Sequence, residues 1–195
     1  MLQQAKPTTG DLKSLNKLVN KLKTLKADGG ARLVYRPLDL DDLEVVTWFD
    51  ASFAREAGSK SQGGLLTVLT SSKVHEEHTN CSVLEFESST ISRVVKSTMA
   101  AESASLSKAM DRHLYSRLLT EALLHGEPEY DADWRYHLKV KGTVVTDAKS
   151  LYDHLSKTGS VPKERQTLID LLVARDLVEH QVVKLTWVPT AHMLA

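Results

Sequence analysis

Val45-Val46-Thr47-Trp48-Phe49-Asp50-Ala51-Ser52 is the stretch on which the reading of this chain turns. Its near-continuous run of β-forming apolar residues fits a central strand buried on both faces, and the run closes on a carboxylate. Val144-Val145-Thr146-Asp147-Ala148-Lys149-Ser150 repeats the pattern. Between the two, Glu102 stands near the start of a helical stretch that opens Ser97-Thr98-Met99-Ala100-Ala101-Glu102. A strand-end Asp, a helix Glu and a second strand-end Asp can converge on divalent cations. Such ions take a few carboxylate oxygens and keep waters and substrate phosphates as their other ligands. Two of them can clamp the attacking and leaving oxygens of a phosphodiester.

Working outward, residues 11–26 place Leu12, Leu15, Leu18, Val19, Leu22 and Leu25 on one helical face and lysines on the other. Thr9-Gly10-Asp11 offers a cap and Asp28-Gly29-Gly30 a stop. This helix is expected to cover its leucines by packing. Residues 32–35 read as a short extended edge element. After a Gly- and Ser-rich loop over residues 58–64, residues 65–70 and 81–87 read as strands joined by a polar turn. With the strand around Val45, they form an antiparallel meander. Residues 97–125 form the longest helix, with Leu106, Met110, Leu114 and Leu118 on one stripe and Gly126 and Pro128 at its end. A loop over residues 127–135 leads to a strand at 137–146 and a short helix at 151–157. Gly159-Ser160-Val161-Pro162 breaks the chain before a helix at 163–179 and a last strand at 182–188, stopped by Pro189.

The order β-β-β-α-β-α-α-β predicts an α/β fold with a five-stranded mixed sheet flanked by helices. Right-handed crossovers place strands four and five parallel to strand one. Asp50 and Asp147 then lie side by side at the C-terminal ends of parallel strands, where open α/β sheets place their sites. Residues 1–30 form a helical arm and residues 31–195 the sheet-bearing domain.

The chain carries 25 Lys and Arg against 25 Asp and Glu, zero formal charge. That balance counts against strong autonomous nucleic-acid affinity, because dedicated binders are usually basic. The single cysteine, Cys81, excludes an intrachain disulfide and points to an intracellular, reducing compartment, cytoplasm or nucleus first. No apolar run approaches the length of a membrane span, so no membrane partner is expected. His75, His78 and Cys81 are three soft-metal ligands in one segment, but zinc normally takes four, and a polar hairpin turn is the expected reading.

In words as well as pattern, the chain resembles the RNase H domain of copia-type LTR retrotransposon polyproteins. Asp50-Ala51-Ser52-Phe53-Ala54 is similar to the family's strand-one motif, and Ser97 through Glu102 to its Ser-Thr-x-Ala/Glu-Ala-Glu helix start. Thr146 through Leu151 resembles its Asp-x-x-Ser motif, and Glu164-Arg165 through Ile169-Asp170 its Arg-x-x-x-Ile-Asp helix. Trp187-Val188-Pro189-Thr190 through Ala195 resembles its Val-Pro-Thr-x-x-x-Leu-Ala-Asp segment. The arm around residues 8–25 resembles the end of the reverse transcriptase that precedes RNase H. The resemblance implies an RNase H-like fold and two-metal cleavage of RNA in RNA–DNA hybrids. Mg²⁺ or Mn²⁺ would be held by Asp50, Glu102 and Asp147 as catalytic and metal residues. One ion would bridge Asp50 and the phosphate, and the other would be shared by all three carboxylates.

Ser52 and Ser150 stand where the family meets substrate, and Arg93 and Lys96 can bind phosphate ahead of the long helix. Each also has an ordinary structural role: a helix-start Ser caps, and loop cations are commonly solvated. Asp50, Glu102 and Asp147 have such roles too, as turn cap, first-turn acid and N-cap. Asp170 reads as an ion-pair partner and His192 as an exposed tail residue. The family's fourth carboxylate follows Leu-Ala directly, one place beyond Ala195. Glu87 stands where the family shows a basic residue. These departures keep open an alternative in which an inactive RNase H fold serves as a binding or scaffold subunit. Its partners would be structured RNA or other protein subunits docked through the N-terminal helix.

Overall fold

A computed structural model describes residues 8–30, 32–56, 60–126, 134–156 and 164–194. The chain divides into two compact units, Met1–Val34 and Tyr35–Ala195. The expected Gly159–Pro162 break, most of the 127–135 loop and Ala195 lie outside the described residues.

In the first unit, α1 (Thr9–Ala27) starts one residue earlier than the capping signal suggests. Thr8 is the N-cap: its side chain accepts from the Asp11 amide, and the Asp11 carboxylate accepts from the Thr8 amide at 2.7 Å. This reciprocal pair satisfies donors that a helix start otherwise leaves unpaired. No residue of α1 is buried. Within this unit Leu12, Leu15, Leu18, Val19, Leu22 and Leu25 are 37–59% exposed.

The second unit is built on five strands: β1 (Leu43–Glu56), β2 (Lys60–Ser71), β3 (Cys81–Thr90), β4 (Lys141–Thr146) and β5 (Lys184–Trp187). Their order across the sheet is β3-β2-β1-β4-β5. β1, β2 and β3 pair antiparallel, while β4 and β5 run parallel to β1. This is the mixed sheet that the sequence predicts, and the fold is RNase H-like.

Three differences from the expectation have physical causes. Residues 32–35 form no strand; Tyr35 instead donates its hydroxyl to the Val83 carbonyl at 3.2 Å. β1 does not end at Asp50 but continues to Glu56 against β2, with a register shift between Ser52 and Glu56 and Ala54 in the left-handed region at φ 51°. Residues 60–64 belong to β2 rather than to a loop. Gly63 is needed there, because a Cβ at that position would stand 2.9 Å from Ser105 Oγ.

Among the described residues three α-helices accompany the sheet: α2 (Thr98–His125), α3 (Lys149–Ser156) and α4 (Arg165–Glu179). Side chains alternate between sheet faces with period two. Phe49, Leu65 and Val144 face the larger core with Leu106 and Met110 of α2, Leu151 of α3 and Leu171 of α4. Val46, Val68 and Val145 face the other side and form a smaller cluster under Trp48, Leu66 and Val188. The run Val45–Thr47 is thus buried on both faces, at 0–1% exposure, as its composition predicts. The buried face of α2 is not simply apolar. Besides Leu106 and Met110 it carries Glu102, His113, Arg117 and Glu121.

Candidate active site

Asp50 and Asp147 are brought together by the parallel pairing of β1 and β4. The register runs from Glu44 opposite Lys141 to Trp48 opposite Val145, and two further steps bring Asp50 level with Asp147. Asp50 is half-buried, and its Oδ1 accepts from the Ala51 amide at 2.7 Å. Its carbonyl accepts from Ser105 Oγ at 3.0 Å, which ties β1 directly to α2. Asp147 follows the last residue of β4. Its carbonyl accepts from Trp187 Nε1 at 2.9 Å, and the turn into α3 is held by the Ala148 amide donating to Thr146 Oγ1 at 3.1 Å. The described turn bond therefore belongs to Thr146 rather than to an Asp147 cap.

Glu102 arrives from the start of α2. Ser97 caps this helix, its side chain accepting from the Ala100 amide at 3.1 Å. Ala100 and Ala101 are fully buried, so the first turn lies flat on the sheet and carries Glu102 inward to 7% exposure. Among the described residues, Glu102 Oε2 is buried with no hydrogen-bond partner. Burial first, then the nearby charges of Asp50 and Asp147, push the carboxyl up to about 8. With Ser97 as the N-cap, Glu102 lies beyond the first turn rather than in it as expected, so the helix dipole does little to hold it ionised. At neutral pH Glu102 mostly holds a proton.

Among the described residues no three His, Cys, Asp or Glu side chains form a group able to hold a metal ion. Asp50, Glu102 and Asp147 are thus an electrostatic cluster that is not drawn into a ligand set. The donor chemistry nevertheless suits a hard cation: three carboxyl groups, one with a buried oxygen that has no hydrogen-bond partner. His75, for its part, is bound to Glu44 at 3.1 Å, and Cys81 is free and exposed.

The expected substrate residues fall in different settings. Ser52 lies in β1 opposite Gln62, half-buried, and Ser150 is exposed in the first turn of α3. Lys96 is exposed just ahead of α2. Arg93 is ion-paired with the buried Asp170 of α4, the partnership expected for Asp170. It also borders a cleft of about 270 Å³ with Gly63, Ser89, Ser105 and Lys108. Lys108 and Arg112 on α2 face Glu87 and Glu85 of β3. Glu87 therefore neutralises basic groups beside this cleft, as its sequence position suggests.

Some neighbours carried no sequence signal. Lys149 sits 4.9 Å over the Trp187 ring and 5.0 Å over Tyr152, beside Asp147. Ser105 and Gly63 together set how closely α2 approaches Asp50. None of these residue types at these separations marks a site until the strands are paired.

No family model and no curated protein matches this chain. Solved structures do. The N-terminal RNase H domain of a Mycobacterium tuberculosis protein, fused to maltose-binding protein, is 20% identical, with a TM-score of 0.45 over 77% of this chain and 86% of its own. RNase H1 from Halobacterium salinarum is 17% identical, with a TM-score of 0.45 over 76% and 87%. A foamy viral protease–reverse transcriptase in complex with RNA/DNA hybrid is 10% identical, with a TM-score of 0.45 over 80% of this chain and 19% of its own. These likenesses concern the fold alone. The fold itself rests on strand order and direction.

Proposed function

We propose that the sheet-bearing unit is an RNase H-type hydrolase of the RNA strand in RNA–DNA hybrids, descended from a copia-type retrotransposon polyprotein. The observation that supports this most is Glu102: a buried carboxylate with an orphaned oxygen, within electrostatic reach of Asp50 and Asp147. Such an arrangement is costly in a protein that does not use it. Asp50, Glu102 and Asp147 would hold Mg²⁺ or Mn²⁺, which supplies charge stabilisation at phosphorus and an activated water when bound.

The chain's own residues prepare that chemistry. The Ala51 amide and the Ser105 hydroxyl fix Asp50 from both its carboxylate and its carbonyl. Glu102 holds a proton at neutral pH and would have to give it up to serve as a ligand. Trp187 fixes the backbone of Asp147. Lys149, Ser150 and Lys96 present donors and charge for the substrate's phosphates. Ser52 and Arg93 would add further contacts to the substrate.

A second reading has its own support. Glu85 and Glu87 engage the basic residues of α2, and the carboxylates are not gathered into a ligand set. Both suit an RNase H fold retained as a binding or scaffold subunit.

The deciding experiment is cleavage of a labelled RNA–DNA hybrid with Mg²⁺ and with Mn²⁺. Metal-dependent cleavage, reduced about a hundredfold or more by Asp50→Asn, is expected. Silence with both metals in a folded protein that still binds RNA would turn the reading to the scaffold.

A further inference from the structure

At the opposite, N-terminal end of the parallel strands lies a second cleft, of about 380 Å³. It is a size that suits a small organic ligand. The β1 residues that mark the two ends, Glu44 and Asp50, are six positions apart, ~20 Å along an extended strand. Glu44 and Arg117 line the inner wall, at 3% and 4% exposure. Lys139, Lys141 and Lys184 line the cleft as exposed residues. Gln181 also lines it, held at φ 57° in the left-handed region that non-glycine residues seldom occupy.

The buried groups are fixed before any ligand arrives. Arg117 donates from Nε to the Val140 carbonyl at 3.0 Å and from Nη2 to the same oxygen at 2.6 Å; Nη1 donates to the Val182 carbonyl. Glu44 accepts from Thr143 Oγ1 at 2.5 Å and binds His75 Nε2 at 3.1 Å. Three lysines and Arg117 outnumber the carboxylates in reach. Those are Glu44 and Glu121, both acting on Arg117, and Asp42, 3.8 Å from Lys141. Positive charge thus prevails at the mouth, above a Glu44 carboxylate already held by Thr143 and His75.

We propose that this cleft binds a small phosphomonoester that also carries hydroxyl groups, such as a sugar phosphate or nucleoside monophosphate. Lysine ammonium groups serve phosphate as compact point charges, and the mouth provides three. The cleft is larger than a bare phosphate needs. Gln181, which lines the cleft, offers a side-chain amide for the hydroxyls. The site is separate from the three carboxylates and does not depend on their activity.

The test is titration calorimetry at low salt with inorganic phosphate, ribose 5-phosphate and adenosine monophosphate. The expected result is saturable binding of both organic phosphates, tighter than inorganic phosphate. Reversing two mouth charges, Lys139→Glu with Lys184→Glu, weakens it about tenfold or more, with the far-UV spectrum unchanged. Asp50→Asn binds as the parent does. The proposal is overturned if nothing saturates at millimolar ligand, or if the charge-reversed protein binds equally well. It is also overturned if a single-stranded RNA oligomer occupies the same lysines more tightly than the mononucleotide, which would make the mouth a backbone-tracking surface.

Discussion

Two carboxylates of similar burial sit toward the two ends of the parallel strands. Glu44 is 3% exposed and Glu102 7%. Glu44 has a hydroxyl on one oxygen and an imidazole nitrogen across both. Glu102 keeps one oxygen without a partner and is pushed up to about 8. Burial alone does not decide what a buried acid costs; the partners the fold supplies do. At the N-terminal end both oxygens of the buried acid have partners. The C-terminal end is left incomplete, as a site awaiting a cation would be.

Arg117 tests the satisfied end most severely. Arg117→Met strands the Val140 and Val182 carbonyls and removes the charge opposite Glu121. A loss of about 3–5 kcal/mol is expected in urea unfolding; a loss under about 1 kcal/mol would mean the network is ornamental. Gly142→Ala comes next. A Cβ there would overlap His113 Nε2 and the Arg117 side chain, costing about 1–3 kcal/mol by the same assay.

The two ends should also answer pH with opposite signs. Glu102 has its folded pKa raised from 4.5 to about 8. Its contribution is therefore fully present below 4.5 and lost as pH rises toward 8. Glu102→Gln should raise Tm by about 5 °C at pH 8.5 and leave it unchanged near pH 4. His113 is held down to about 3, by burial first and then by Arg117. The folded state binds fewer protons there than the unfolded chain does, so stability is lost as pH falls from 6.5 toward 3. His113→Gln should flatten that acid limb in a Tm-versus-pH series. If both variants shift the same limb, the contrast between the ends fails. The smallest effect belongs to Lys108→Ala, where the partly exposed pair with Glu87 contributes under about 1 kcal/mol. A larger loss in urea unfolding would give that pair a structural role.

The run from Val45 to Ala51 and its counterpart at Val144 announce central strands because burial on both faces leaves no polar alternation. Register then makes neighbours of Asp50 and Asp147 almost automatically. Glu102 was legible from the helix start that precedes it. The polar stripe of α2 was not. His113, Arg117 and Glu121 recur every four residues, a spacing that reads as a solvated face. Their burial depends on Val140 and Val182, far along the chain, and no local pattern encodes that. The same holds for residues 60–64, which read as a loop from their glycines. They are a strand because they pair with Asp50 to Ser52 of β1 and Ser88 to Thr90 of β3, and the glycine at 63 lets Ser105 approach.

Gly63 and Gly142 share one consequence. Each marks a place where a missing side chain lets α2 touch the sheet, through Ser105 on β2 and through His113 and Arg117 on β4. The helix is 28 residues long, and these seats lie within ~20 Å of one another along its axis. A rod seated at two points can neither roll nor slide without unseating both. The gap between Glu102 and the strand carboxylates is therefore machined by two absent methyl groups, neither of them in the site itself.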